Sequence, residues 1–218
     1  VSSGLGGMSG AQPKAAKISG AVSITAEVDY SRVETRHAQG WVDVVSDDLE
    51  TIYKTAKAAV EAKENTSIAY HGNVVDLLAF LVETDLKVDL LSDQTSCHVV
   101  YDGGYCPAGI SFEKRTAMLA SDRDKFKALV NESLKIHYEL IKKISAKGTY
   151  FFDYGNTFLL ESSRAGADIM ALDGLRFKYA SYVEDIMGPM CFDYGFGPFR
   201  WVCASADPAD LLKTDQIA

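Results

Sequence analysis

Ser3-Gly4-Leu5-Gly6-Gly7-Met8-Ser9-Gly10-Ala11-Gln12-Pro13, followed at once by Ala21-Val22-Ser23-Ile24-Thr25-Ala26-Glu27, is the stretch that decides the fold. Gly4, Gly6 and Ser9 spell G-x-G-x-x-S, one residue away from the dinucleotide fingerprint. The first glycine permits a tight turn, and the second lets the backbone approach a pyrophosphate, which then rests on a helix N-terminus. Ser9 takes the place of the third glycine, which costs little if helix and strand stand slightly farther apart. Ala11 to Ile18 reads as the short helix, with Pro13 tolerated in its first turn and Gly20 closing it. The strand that follows ends in Glu27, 21 residues after Gly6. A carboxylate there can accept both ribose hydroxyls and disfavours a 2′-phosphate.

Working outward, only Val1, Ser2 and Ser3 precede the loop, so the first strand is expected to be cut short. Downstream, strands and helices alternate. Helices are expected over Tyr30–Ala38, Asp48 to about Ala62 and Val74–Glu83, the last with Asn73 as N-cap. Strands are expected near Trp41–Val45, over Ser67–His71 and over Val88–Leu91. In the second helix Leu49, Ile52, Tyr53, Ala56, Ala59 and Val60 recur at helical spacing, which predicts one buried face. The longest helix is expected from Ser121 to Lys147, opened by Ser121 and lined inside by Phe126, Leu129, Val130, Leu134, His137, Leu140, Ile141 and Ile144. Tyr150–Asp153 is then a last parallel strand, with Asn156 as the N-cap of a new helix. Further helices are expected near Leu175–Met187 and over Pro208–Ile217, the latter capped by Asp207. The alternation predicts an α/β, Rossmann-like, doubly wound and mostly parallel sheet with helices on both faces. One domain is expected over residues 1–218.

The composition narrows the function. Of 218 residues, 47% are apolar and 24% charged, which suits a chain with a real core. The formal charge of −8 would repel a phosphate backbone, so no nucleic-acid partner is expected. The sequence holds no apolar run of membrane-spanning length and no secretory signal, so no membrane role is expected. The four cysteines, Cys97, Cys106, Cys191 and Cys203, are too few for a disulfide-stapled fold, and a reducing cytoplasm fits best. Cys97, His98 and Cys106 lack the spacing and the fourth ligand of a zinc site, so no metal is expected.

From Asp93 to about Gly109 the periodicity disappears into a polar, aromatic, glycine-rich loop at a strand's carboxyl end, the place where open α/β sheets bind ligands. Within it Gln94, Thr95, Ser96, Cys97 and His98 bring an amide, two hydroxyls, a thiol and an imidazole together. Cys97 and His98 are adjacent on an extended chain, point opposite ways and have no evident orienting acid, so no catalytic residue is assigned. His137 reads as a core histidine. The aromatic loop Cys191 to Trp201 suits a partner surface and a packed loop equally. On these residues alone an S-adenosylmethionine-dependent methyltransferase, a non-catalytic dinucleotide sensor or a hydride-transfer dehydrogenase remain alternatives to a cofactor domain.

Four strings in this order, Ser3 to Pro13, Asp93-Gln94-Thr95-Ser96-Cys97-His98, Asp153-Tyr154-Gly155-Asn156 and Gly197-Pro198-Phe199-Arg200-Trp201, closely resemble the urocanase (urocanate hydratase) family. The resemblance runs over essentially the whole chain. It implies the NAD+-binding domain of a lyase that hydrates urocanate to 4-imidazolone-5-propionate in histidine degradation, with NAD+ as an electrophile and no net redox change. It implies that Gly7, Met8 and Ser9 contact the pyrophosphate beside the cofactor-binding Gly6 of the glycine motif, Glu27 the adenosine ribose, and Arg32 a nearby adenosine or phosphate group. Asn73 with Val74, the run Gln94 to His98, Tyr105 with Cys106, and Tyr154 would complete the pocket. The family usually carries Gly where Ser9 stands and a small residue where Cys97 stands. It also implies a cytoplasmic homodimer and a longer chain with an active-site cysteine elsewhere. The 218 residues are therefore expected to be a cofactor-binding part of a larger enzyme, inactive alone.

Overall fold

The computed structural model describes residues 1–155, 157–197 and 204–217. Its contacts divide the chain into two compact units, Val1–Tyr182 and Val183–Ala218.

The first unit alternates strands and helices as the sequence periodicity requires. They are β1 (Ser2–Ser3), α1 (Ala11–Ile18), β2 (Val22–Glu27), α2 (Tyr30–Ala38), β3 (Val44–Ser46), α3 (Leu49–Ala62), β4 (Thr66–His71), α4 (Val74–Val82) and β5 (Leu90–Asp93). After a 3-10 segment at Cys97–Asp102 come α5 (Phe112–Ser121), α6 (Arg123–Ser145), β6 (Tyr150–Asp153), α7 (Phe158–Arg164) and β7 (Ala180–Ser181). The strands pair in two sets, β3-β4-β2-β1 and β5-β6-β7, and every pairing is parallel. A seam joins the sets. Val1 N donates to Leu90 O at 2.8 Å, Ser92 N donates to Val1 O at 3.0 Å, and the Ser2 and Ser92 hydroxyls lie 2.9 Å apart. The strands thus run β3-β4-β2-β1-β5-β6-β7, a Rossmann-like order. From β1 the chain winds to one side and from β4 it crosses to the other, so the loops after β1 and β5 diverge and leave a crevice at the strand ends.

The helices are held by the residues that the periodicity selects. Ile52, Ala56 and Ala59 of α3 are buried, whereas Val60 is exposed. On α6, Phe126, Val130, Leu134, Tyr138, Ile141 and Ile144 are buried in one apolar cluster with residues of β5, β6 and α4, and His137 is buried on the same helix. The caps are local. The Asp29, Asp48 and Asn73 side chains accept from the amides of Ser31, Thr51 and Val75 at the starts of α2, α3 and α4.

Three expectations need correction. The helix expected from Ser121 to Lys147 is two helices, because Asp122 leaves the helical conformation and its carboxylate accepts the Lys125 amide at 3.1 Å to cap α6, while Ser121 ends α5. The helix expected near Leu175 begins only at a π-helical turn, Tyr182–Met187. Asp173 captures the Leu175 and Arg176 amides, and the chain doubles back through an antiparallel bridge between Met170 and Phe177, then adds β7 beside β6. The strand expected at Val88–Leu91 is shifted to Leu90–Asp93. Asn156 lies outside the described residues; the start of α7 is served by Asp153, whose Oδ2 accepts from Leu159 N at 3.1 Å.

The second unit holds α8 (Gly188–Met190), a 3-10 turn at Phe192–Tyr194 closed by Gly195, and α9 (Pro208–Ile217), where Asp207 accepts the Ala209 amide. The part of the aromatic loop from Pro198 to Trp201 is outside the described residues, as are Val202 and Cys203. No helix among the described residues is long and apolar enough to cross a membrane.

The split between α5 and α6 is testable by thermal unfolding. Asp122→Ala is expected to cost about 1 kcal/mol through loss of the cap. Ser121→Ala is expected to stay within about 0.5 kcal/mol of the parent. Equal losses for the two would restore a single continuous helix.

Candidate functional site

A cleft of about 660 Å³ opens at the carboxyl ends of β1, β2 and β5, where the strand order reverses. Its floor is the loop between β1 and α1. The loop begins with Gly4 at φ +86, a conformation that a side chain would strain, and its amide donates to Ala26 O at 2.8 Å. Glu27, buried at the end of β2, clamps the turn from below. One carboxylate oxygen accepts the Leu5 amide at 2.7 Å and the other accepts the Asp29 amide at 2.9 Å. From α2, Arg36 holds the turn on its other side, donating from Nε to Leu5 O at 3.0 Å and from Nη2 to Gly6 O at 2.7 Å.

The loop's own bonds are spent on starting α1, through Gly10 N to Gly6 O, Ala11 N to Met8 O and Gln12 N to Ser9 O. Among the described residues, the amides of Gly6, Gly7, Met8 and Ser9 have no hydrogen-bond partner. A Cβ placed on Gly7 would meet nothing within 4 Å, so the backbone there faces open cleft. Four successive amides left for an outside acceptor beside a helix start are what an anionic diphosphate requires.

The opposite wall comes from β5 and the segment after it. Gln94, Thr95, Ser96 and His98 line the cleft, as do Tyr105, Cys106, Asn73 and Val74. Asn73 caps α4 and donates from Nδ2 to Cys106 O at 2.9 Å, which pins that wall to the strand end. Arg32 lines the cleft above Gly6 and pairs with Asp29 at 3.3 Å. Every site residue expected from the sequence is thereby brought to one place except two. Cys97 is buried beneath the wall, its thiol 3.1 Å from Thr95 Oγ1, and Tyr154 stacks flat on Tyr182 at 4.6 Å. Cys97 and His98 part company, the first buried and the second exposed. Burial pushes the Cys97 thiol well up, and pushes Cys106 up to about 11, so both stay protonated at neutral pH.

Under the wall lies a buried polar knot. Asp93 accepts from Ser3 Oγ at 2.8 Å, from Thr95 Oγ1 at 2.5 Å and from Thr95 N at 3.1 Å, tying β1 and β5 to the binding segment. His137 of α6 stands 3.8 Å from the Asp93 carboxylate and 3.2 Å from the Tyr105 hydroxyl. Burial raises the Asp93 pKa and lowers that of His137 to about 3, so the imidazole is neutral and the knot is not an ion pair at neutral pH. Arg36 and Asp93 were missed by sequence reasoning. The repeat of arginine at positions 32 and 36, one helical turn apart, was the available signal for the first; the Asp at a strand end before Gln94 was that for the second.

The parallel sheet, the glycine turn and the crevice at its switch point define a Rossmann-like domain, the architecture in which dinucleotides bind. Residues 1–186 match the family described as the Urocanase Rossmann-like domain and residues 189–218 match the Urocanase C-terminal domain. The chain is 54% identical over 222 residues to a protein described as probable urocanate hydratase from Caenorhabditis elegans, and 48% identical over 225 residues to urocanate hydratase from Mus musculus. Both alignments cover 100% of this chain and 33% of the relative, so the chain spans about a third of their length. The chain belongs to the urocanase family.

The neutral histidine predicts a direction of pH dependence. An unfolded histidine binds its proton near pH 6.5 and buried His137 only near 3, so its contribution to stability is lost as pH falls from 6.5. The loss amounts to about 1.4 kcal/mol per pH unit. Asp93, with its raised pKa, works in the opposite sense at lower pH. On moving from pH 7 to pH 5, the parent chain is expected to lose more in denaturant midpoint than His137→Phe; parallel losses would show that His137 is protonated inside the fold.

Proposed function

We propose that the switch-point cleft binds NAD+, and that the chain is the NAD+-binding part of a urocanate hydratase, a hydro-lyase of histidine degradation that converts urocanate to 4-imidazolone-5-propionate. The observation that carries this reading is the row of amides at Gly6–Ser9 without a partner among the described residues, in a cleft also lined by Gln94, Thr95, Ser96 and His98, in a chain of the urocanase family. The residues fit the cofactor. The loop amides would receive the pyrophosphate, with Met8 exposed at its rim and Ser9 closing the turn. Each Glu27 oxygen accepts one backbone amide and has a second lone pair, so the carboxylate keeps capacity for the adenosine ribose hydroxyls. Its negative charge opposes the 2′-phosphate of NADP+. Arg32 would face the adenosine or an adjoining phosphate, and Asn73, Val74, Tyr105 and Cys106 would form the side wall. Cys97 and Tyr154 would act from behind it.

The chemistry that NAD+ supplies when bound is that of an electrophile toward the urocanate ring, with no net redox change. The task of this chain is to bind, orient and shield. The Gln94–Ser96 wall is held by Asp93 and the core knot, so its amide and hydroxyls meet a ligand in a fixed arrangement. The chain spans about a third of the length of its curated relatives. Hydration of urocanate is therefore proposed for the whole protein, and for this chain we propose cofactor binding without that activity. A cytoplasmic homodimer is part of the same proposal.

Calorimetric titration tests the reading. NAD+ is expected to bind saturably, with NADP+ and S-adenosylhomocysteine far weaker. Glu27→Ala is expected to lose on the order of 1.5–3 kcal/mol of NAD+ affinity. Tighter binding of S-adenosylhomocysteine, or no binding of any nucleotide, would contradict it.

A further inference from the structure

Arg36 belongs to no motif of the dinucleotide fingerprint, yet it is the side chain most intimately engaged with the glycine turn. We infer that Arg36 is a positioning residue that pre-orients the loop amides toward the cofactor's pyrophosphate, and that Gly10 is glycine to let its guanidinium through. The inference rests on the reading of the cleft as a dinucleotide site.

Planarity of the peptide unit supplies the mechanism. The Leu5 carbonyl and the Gly6 amide belong to one trans peptide, and the Gly6 carbonyl and the Gly7 amide to the next; in each, C=O and N–H point in opposite directions. Arg36 draws both carbonyls to itself, through Nε to Leu5 O at 3.0 Å and Nη2 to Gly6 O at 2.7 Å. The two amides are therefore turned the other way, and these are amides without a partner among the described residues. Glu27 completes the constraint by taking the Leu5 amide, so this turn cannot rotate without breaking a charge-assisted bond on one side or the other.

The guanidinium is itself held. Nη1 donates to the neutral Gln39 amide oxygen at 2.8 Å, and the group lies over the Trp41 ring at 4.9 Å. Its positive charge therefore remains available to the cleft that Arg36 lines. Its path runs across Gly10, where a Cβ would fall 2.1 Å from Nε and 2.7 Å from Cζ, and also 2.7 Å from the Gly6 carbonyl oxygen that Nη2 holds, so a side chain there would disturb both partners of that bond. Lysine carries the same charge on a single rotatable nitrogen and lacks the planar fork whose separate nitrogens meet the two successive carbonyls.

The test compares NAD+ with adenosine, which lacks the pyrophosphate, by calorimetry on the parent chain, Arg36→Lys, Arg36→Ala and Gly10→Ala. Arg36→Lys is expected to weaken NAD+ binding by roughly tenfold to a hundredfold while adenosine binding and the ligand-free thermal midpoint stay near parental values. Gly10→Ala is expected to reproduce the loss with Arg36 intact. Guanidinium ion, at a concentration that does not denature the chain, is expected to recover NAD+ binding in Arg36→Ala and not in the parent. A parent that binds NAD+ alongside an Arg36→Lys that binds it equally well would overturn this inference alone. So would equal losses for adenosine and NAD+, or a Gly10→Ala variant that folds and binds normally. A parent that binds no dinucleotide would overturn both this inference and the reading on which it rests.

Discussion

The carboxylate of Glu27 accepting the Leu5 amide at 2.7 Å is the constraint on which the site depends. It joins the end of β2 to the turn after β1 and fixes the height of that turn over the sheet. A carboxylate this buried has exchanged water for protein donors, and both of its oxygens have them. Arg36 then supplies the opposing pull on the carbonyls of the same turn. An anion on an amide and a cation on two carbonyls hold the loop from both sides, and Gly6–Ser9, whose amides have no partner among the described residues, line the crevice. Pre-organisation of this kind matters because an anion that must first order its own binding loop loses the entropy of doing so from its affinity.

The second wall is fixed by different means. β1 is only two residues long, and its attachment to β5 relies on the Val1–Leu90–Ser92 seam and on the bond from Ser3 to Asp93. Asp93 also gathers both donors of Thr95, so the strand seam and the cleft-lining segment share one carboxylate. Its raised pKa and the depressed pKa of His137 both follow from burial. The glycine side of the cleft is held by buried Glu27 and by Arg36, and the Gln94 side by Asp93 with the hydroxyls of Ser3 and Thr95, beside a neutral imidazole in the core. Cys97, though adjacent to His98, belongs to that core rather than to the cleft.

The parallel α/β architecture was legible because it is written locally. The glycine turn, the strand-end acid and the helical stripes of α3 and α6 are short-range patterns, and the structure reproduces them within a residue or two. What escaped has a physical reason in each case. α5 buries none of its residues, so its sequence carries no apolar stripe to announce it. Ser121 and Asp122 are both cap-type residues, and which one turns inward is decided by the path of α6. β7 is two residues of Ala and Ser that become a strand only because β6 lies beside them. Leu175 sits in an apolar context that suggests a helix, but Asp173 binds the amides that would have begun one. Of the cleft lining, Gly6–Ser9 and Gln94–Ser96 with His98 are legible as contiguous strings, whereas Cys97 and Tyr154 from the same strings lie outside it. Arg36 was not legible, because its partners are 30 and 31 residues away and only the fold brings them together.

The most direct measurement is an amide-resolved NMR titration of the 15N-labelled chain with NAD+. The amides of Gly6, Gly7, Met8 and Ser9 are expected to shift most, together with those of Gln94 to His98, whereas the Leu5 amide, already held by Glu27, should move little. Saturable shifts that spare Gly6–Ser9 and fall elsewhere on the chain would contradict a dinucleotide site organised around the glycine turn.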